Sequence, residues 1–231
     1  MARNVKHPDP PPDGRTSRWN DHRQQRRTEL VAHAVAAIDR LGPAASVADI
    51  VAEAGVSKPV LYRYFSDKSE LHAAVGAWAA QHVLDHVVPP LLTDAAIRDK
   101  VAAAVDGYFD AIATHPQVFL LVVQHRTAGD ALTDGKEQIA ATFARVIGDG
   151  LRRLGVDSAG AEPWAHGLVG LGLSVGEWWL VRRTMSQAAA ARYLTDFVWH
   201  AFAGISDEYG VPLSVLDELP ATVTPIRKEQ P

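Results

Sequence analysis

Hydrophobic residues recur three and four positions apart along most of the chain, and no stretch alternates between apolar and polar as a strand does. Such spacing gathers apolar side chains on one face of an α-helix. With its glycine and proline breaks, the pattern predicts helices over about 23–41, 68–87, 95–114, 117–125, 136–154, 161–184 and 187–209. Pro89 and Pro90 are expected to interrupt the helix from 68. The chain is therefore predicted to be all-α.

Two short helices are predicted between residues 46 and 65. Ser46 and Asp49 have the spacing of a helix N-cap and its acidic partner. Gly55 then suits a turn that needs a positive φ. Ser57 can cap the second helix, with Pro59 in its first turn. This is the arrangement of a helix-turn-helix, whose second helix enters the DNA major groove.

The second short helix carries polar groups that packing alone does not explain. Leu61 and Phe65, four residues apart, can face inward together. The remaining surface shows Lys58, Arg63 and two tyrosines, groups that can bind base edges and phosphates. A solvated face with half-buried tyrosines is the alternative interpretation.

The segment from Ala54 resembles, in its run AGVSKPVLYRYFSDKSEL, the DNA-binding domain of the tetracycline-repressor (TetR) family of bacterial regulators. The similarity covers about residues 22–72. It implies a dimer that binds a palindromic operator, and Lys58, Pro59 and Val60 would lie closest to the bases. The full set of DNA contacts that the resemblance implies is Ser46, Ser57, Lys58, Pro59, Val60, Tyr62, Arg63, Tyr64 and Lys68.

Four regions follow from this interpretation. Residues 1–20 are Pro-rich and polar, and are expected to form a disordered arm. Residues 21–72 form the three-helix DNA-binding domain, 73–210 a helical effector-binding and dimerisation domain, and 211–231 a loose tail. The net charge of −4 divides into +2 over residues 1–72 and −6 over the remainder. A local positive face is enough for DNA binding.

The second domain combines apolar and aromatic side chains with a few polar ones, as small-molecule cavities do. An apolar or amphipathic effector of modest size would release the regulator, most simply a repressor, from its operator. Each aromatic residue taken singly has a place in the core as its plainer explanation. The candidate effector-binding residues are Trp78, His82, Tyr108, Phe109, Phe119, Gln124, Phe143, Glu177 and Trp178.

The last two long helices are the candidate dimer interface. Four glycines in the first of them, from Gly167 to Gly176, lower helix stability and suggest close approach of another helix. The last helix carries an apolar stripe from Leu194 to Ile205. Packing within one chain is the alternative.

Other classes of function find less support. No Walker, nucleophile-elbow or dinucleotide-binding glycine motif occurs in a suitable context, so no enzyme activity is expected. His82 and His86 share a helix face, but no third ligand is indicated, so neither a metal site nor a cofactor is predicted. An all-helical ligand-binding protein with no role on DNA is the main alternative.

The expected location is the cytoplasm. Cysteine is absent, which suits a reducing compartment. The N-terminal residues have no apolar core of a secretory signal, and the run from Trp164 to Leu180 is interrupted by His166 and Glu177, so no membrane partner is expected.

Overall fold

The computed structural model describes residues 14–124 and 133–218, and within these ranges it contains helices and no strand. The all-α prediction is confirmed. The helices are α1 (Gly14–Leu41), α2 (Val47–Glu53), α3 (Lys58–Leu61), α4 (Lys68–Leu91), α5 (Ile97–Thr114), α6 (Pro116–Gln124), α7 (Thr133–Arg153), α8 (Ala161–Arg182), α9 (Gln187–Glu208) and α10 (Val215–Glu218).

Two hydrophobic cores organise these helices. The first lies among α1, α2, α3 and the start of α4, and is built around Leu30, Ile38, Leu61 and Phe65. The second lies among α5, α6, α8 and α9. Helix α6 contributes to both cores, with Val118 in the first and other apolar residues in the second. It therefore connects the N-terminal domain to the bundle.

Helix α1 begins earlier than expected. It starts at Gly14, so residues 14–20 of the predicted disordered arm are helical. Pro12 is the last proline before a long run of helix-compatible residues, which explains the earlier start. The remainder of the arm, residues 1–13, lies outside the described residues.

The expected interruption of α4 at Pro89 and Pro90 is wrong. The helix continues through both prolines to Leu91, and the Leu92 N–H donates to the Pro89 carbonyl. Because α4 ends immediately afterwards, the two missing N–H groups affect only its last turn.

The C-terminal tail is also more ordered than expected at its start. Residues 215–218 form α10, which lies against the beginning of α5. The predicted tail beyond residue 218 lies outside the described residues.

Close contact between α4 and α5 depends on Gly107. A Cβ atom added there would overlap the carbonyl oxygen of His86 and lie 3.1 Å from its carbonyl carbon. Both atoms belong to the backbone of α4, which cannot move aside as a side chain can. The close approach of α4 and α5 therefore requires a residue without a side chain at position 107.

Gly107→Ala is expected to lower the free energy of unfolding by about 1–3 kcal/mol, the usual cost of overpacking. The matched control is Gly150→Ala in α7, where an added Cβ meets no described atom within 4 Å. The control is expected to be neutral or to stabilise by up to about 1 kcal/mol through helix propensity. Urea unfolding followed by circular dichroism measures both, and equal stability of the two variants would contradict the role of Gly107.

Candidate nucleic-acid interface and ligand cavity

The turn between α2 and α3 has the geometry that its sequence predicts. The Ser46 hydroxyl accepts from the Asp49 N–H at 3.3 Å, and an Asp49 carboxylate oxygen accepts from the Ser46 N–H at 2.8 Å. The Ser46 hydroxyl also donates to this carboxylate at 2.6 Å, and that bond, together with the one from the Ser46 N–H, holds the pKa of Asp49 below its usual value. Gly55 has φ +63°, and α3 then begins at Lys58. The capping box fixes where α2 starts, and the glycine fixes where it turns.

Helix α3 is only four residues long and is held by its neighbours. Leu61 and Phe65 are buried in the first core, at 0% and 1% exposure. Arg27 of α1 donates to the Tyr64 carbonyl at 2.6 Å, and its guanidinium lies 4.3 Å from the centre of the Phe65 ring. No local sequence pattern marks Arg27, yet its contacts fix the end of α3.

The same arginine also ties α3 to the start of α4. Its third contact is an ion pair with Glu70, at 2.7 Å. Glu70 in turn accepts from the Ser66 N–H at 2.6 Å, while Asp67 caps α4 by accepting from the Glu70 N–H. The Ser66 hydrogen bond and the Arg27 pair lower the pKa of Glu70 to about 2. The carboxylate is therefore ionised throughout the physiological range.

Most of the predicted DNA-binding residues are accessible to a partner. Seven of the nine are exposed, and two are half-buried. Tyr64 is one of the half-buried residues because its ring packs against the first core. It therefore shows less of its ring to solvent than the sequence pattern suggests. The exposed residues are Ser46, Ser57, Lys58, Pro59, Tyr62, Arg63 and Lys68.

The charge on this surface is positive and unneutralised. Lys58, Arg63 and Lys68 form no ion pair with the residues that the structure describes, whereas Arg40 pairs with Glu53 and Arg26 with Glu29 at the edges of the domain. The unpaired cations lie on α3, the following turn and the start of α4. That arrangement suits contact with a polyanion.

A cavity of about 330 Å³ lies among the helices of the bundle. Its volume falls in the range of small-molecule sites, and apolar side chains make almost all of its wall. Of the predicted effector-binding residues, the structure brings five to this cavity: Trp78, His82, Tyr108, Phe119 and Phe143.

The other four predicted effector-binding residues lie elsewhere. Phe109 is fully buried in the second core, where its ring meets that of Trp179. Gln124 is exposed at the end of α6, Glu177 is half-exposed, and 40% of Trp178 is exposed. None of them lines the cavity, because helical rotation points each to another face. Periodicity gives the face of a helix but not which neighbour covers it.

Two polar side chains in the cavity, Tyr108 and His82, differ in their bonding: the Tyr108 hydroxyl has a partner, whereas the buried Nε2 of His82 has none among the described residues. The Tyr108 hydroxyl donates to the Gly172 carbonyl at 2.6 Å, and burial raises the pKa of this phenol. Burial lowers the pKa of His82, and the nearby His86 and His115 lower it further. Both side chains are therefore neutral near pH 7.

One end of the cavity touches the N-terminal domain. His115, which ends α5, lines the cavity and packs its ring against those of Trp78 and His82. Its Nδ1 lies 2.5 Å from a carboxylate oxygen of Asp39 in α1. The other oxygen of Asp39 is buried without a hydrogen-bond partner among the described residues. His115 is not among the residues predicted for the effector site; in the sequence it only follows the helix predicted over 95–114.

The residues that the structure describes form neither a metal site nor a helix able to span a membrane. The Nδ1 of His86 lies 2.8 Å from the His82 carbonyl, and no group of three potential metal ligands occurs in the part of the chain that the structure describes. Among the described helices, none combines the length and hydropathy that crossing a bilayer requires.

Comparison with known sequences decides the family. Residues 30–75 match the profile of bacterial regulatory proteins of the tetR family, and residues 86–214 match the tetracyclin repressor-like C-terminal domain. The chain belongs to the TetR family of transcriptional regulators. Regulators of this family are not enzymes; they bind DNA and small-molecule effectors, and they act as dimers.

Relatives of this TetR-family chain span most of its length. An HTH-type transcriptional regulator of Mycobacterium tuberculosis is 33% identical over 201 residues, 86% of each chain. The HTH-type transcriptional activator FasR of Mycolicibacterium smegmatis is 29% identical, over 77% of this chain and 83% of FasR.

Solved structures show the same fold. A tetR-family regulator from Streptomyces coelicolor superposes with a TM-score of 0.65 at 23% identity, over 80% of this chain and 83% of that one. The FadR regulator of Bacillus subtilis, solved in complex with stearoyl-CoA, gives a TM-score of 0.59 at 14% identity, over 73% and 95% of the two chains.

Proposed function

We propose that this regulator binds a palindromic operator as a dimer, represses transcription there, and is released by a small apolar or amphipathic effector. The observation that carries the DNA-binding part is the exposed, unpaired cationic face of α3 and its flanks. Lys58, Pro59 and Val60 begin the helix that enters the major groove, and Arg63 reaches a base edge or a phosphate. Tyr62 and Lys68 hold phosphates on either side, and Ser46, Ser57 and Tyr64 add contacts.

Operator binding also places the protein in the cytoplasm, where bacterial DNA is accessible. An all-helical ligand carrier with no role on DNA is the competing function. It offers no reason for three unpaired cations around a helix that Arg27 fixes in place.

Arg63→Ala is expected to weaken binding to the DNA that flanks the regulator's own gene by about 5- to 150-fold, the cost of one lost base or phosphate contact. Lys68→Ala is expected to weaken binding to all sequences alike and to reduce the slope of log affinity against log salt by about 1. Gel shifts over a salt series measure both effects.

The control for these variants is Arg145→Ala, which removes an exposed cation of α7 outside the DNA-binding domain. It is expected to bind as the parent does. Equal affinities for the Arg63, Lys68 and Arg145 variants would contradict the proposed DNA-binding surface.

The dimer interface is assigned to α8 and α9. Their outer faces expose large apolar side chains: Trp178, Val181, Tyr193 and Phe197 are 40–64% exposed. An added Cβ at Gly167 or Gly170 of α8 meets no described atom within 4 Å, so these glycines are not explained by packing within the chain. Burial of this face against a second copy would cover it, and two half-sites one helical turn apart require two copies.

Phe197→Glu is expected to convert the dimer to a monomer, because it places a charge in the middle of the apolar face. Analytical ultracentrifugation measures the mass, and a gel shift should show a parallel loss of operator affinity. Leu92→Glu is the control, since Leu92 is also exposed (53%) but follows α4 rather than lying on α8 or α9. A Phe197→Glu protein that remains dimeric would place the interface elsewhere.

The effector is assigned to the apolar class by the walls of the cavity, whose tyrosine hydroxyl is already bonded. The bundle is long enough for a chain-like ligand, since the 18 residues of α5 alone extend about 27 Å. The neighbour FadR was solved with stearoyl-CoA, which makes that compound a reasonable probe. A ligand that displaces Trp78 or His82 would move His115.

Movement of His115 would reach the DNA through α1. Its partner Asp39 has no other described hydrogen bond, so losing His115 would leave a partly buried carboxylate unpaired. The adjacent Arg40 forms an ion pair with Glu53 at the end of α2, at 2.7 Å. The His115–Asp39 contact is therefore a polar connection from the cavity to the helix-turn-helix.

Asp39→Asn is expected to bind stearoyl-CoA as the parent does, but to lose most of its effect on DNA. In the parent, the compound should lower operator affinity by a factor in the range of about 5 to 150, as allosteric couplings do. Fluorescence anisotropy of labelled operator, with and without the compound, measures this factor. Asp106→Asn, an exposed acid of α5, is the control and should keep the full response. An unchanged factor in Asp39→Asn would remove the contact from the signalling route.

A further inference from the structure

The cavity has a second end, which lies away from the DNA-binding domain. Helix α5 runs the length of the cavity, from Ile97 to His115, and both residues line it. His115 touches α1, so Ile97 marks the distal end. Leu91 and the C-terminal leucines Leu213 and Leu216 line the cavity at that end. The distal wall therefore includes residues that follow the last long helix.

Residues 213–218, which we call the C-terminal cover, have little structure of their own. Their internal hydrogen bonds are a few turn contacts, such as the Leu216 N–H to the Leu213 carbonyl and the Asp217 N–H to the Ser214 carbonyl. A helix of four residues is unstable in isolation. The cover keeps its place through its contacts with the bundle.

One of those contacts caps α5. The carboxylate of Asp217 accepts from the Ile97 N–H at 2.6 Å, across 120 residues of sequence. The residue at the N-cap position of α5 is Ala96, which has no side-chain acceptor to offer. Asp217 thus supplies, from the C-terminal region, the hydrogen-bond acceptor that a serine or an aspartate at position 96 would supply locally.

The cover is peripheral to the family's shared domain. The match to the tetracyclin repressor-like C-terminal domain ends at residue 214, before Leu216 and Asp217. The two groups that close the cavity and cap α5 therefore belong to a segment outside that match.

We propose that the C-terminal cover is a removable wall of the effector site, and that a ligand enters at the distal end when Asp217 releases Ile97. Leu213 and Leu216 shield the cavity from water while the cap is formed. When Asp217 releases the Ile97 N–H, two leucines become exposed and the first turn of α5 loses its cap. The closed form is therefore favoured while the cavity holds no ligand. The proposal rests on the proposed function only in that the cavity accepts an apolar ligand.

The experiment uses N-phenyl-1-naphthylamine, an uncharged apolar dye that fluoresces when it leaves water, and the full-length protein. Asp217→Ala removes the cap, and its control Glu218→Ala removes the neighbouring exposed acid of the same helix. Stopped-flow mixing and displacement should show dye association and dissociation both faster by about fivefold in Asp217→Ala, the factor expected for a typical lost cap. Glu218→Ala should behave as the parent does.

Two further readouts keep the outcome clear. Leu216→Ser should also speed dye exchange, because it weakens the wall without touching the cap. Hydrogen exchange should show loss of protection at the Ile97 amide in Asp217→Ala. Unchanged rates of dye association and dissociation in both Asp217→Ala and Leu216→Ser would contradict the proposal that the C-terminal cover is a removable wall.

The failures of the two proposals are distinguishable. If the protein binds its operator and every variant takes up the dye at the same rate, the proposal for the C-terminal cover is contradicted. The proposed function is then unaffected. A dye that enters neither the parent nor any variant would exclude both the cover and the apolar effector, while gel shifts would still test DNA binding separately.

Discussion

A helix as short as α3 can present a fixed surface only because it is attached on two sides. Leu61 and Phe65 anchor it in the first core, and Arg27 holds the chain that follows it through the Tyr64 carbonyl and Glu70. Four residues cannot maintain a helix in water by propensity alone. The rigidity needed for reading DNA therefore comes from α1 and α4. The exposed side chains of α3 are not needed to hold the helix in place. Lys58, Arg63 and Lys68 accordingly form no ion pair among the described residues, whereas Arg26, Arg27 and Arg40 each pair with a glutamate.

The same logic extends to the connection between domains. Helix α6 buries residues in both cores, and the His115–Asp39 contact lies at the junction immediately before it. The cavity reaches this junction at one end and the C-terminal cover at the other, so under the two proposals ligand access and signalling use opposite ends. Since packed cores shift between discrete arrangements rather than deform smoothly, a ligand at the junction would reposition α1 as a unit.

Much of this architecture could be predicted from the sequence. Ser46, Asp49 and Gly55 specify their turn locally, because a cap and a positive φ depend on neighbours only a few residues away. The helix periods predicted every long helix for the same reason. The cavity was predicted less well: Phe109 and Trp178 have the composition of a ligand site but face elsewhere. Arg27, His115 and Asp217 act on partners 37, 76 and 120 residues away, and no local pattern marks such contacts.

The prolines of α4 show how distant contacts decide the geometry of the site. Pro89 and Pro90 predict an interruption of α4, yet the helix continues to Leu91, which lines the cavity at its distal end. Had the helix ended at 88, Leu91 would belong to a loop, and the wall opposite Ile97 would lack a fixed side chain. Stopping α4 just after the prolines also leaves room for residues 92–96 to turn into α5, where Ala96 leaves the helix start uncapped. Because α5 has no local N-cap side chain, the Asp217 carboxylate can cap it and, by doing so, hold the C-terminal cover against the cavity.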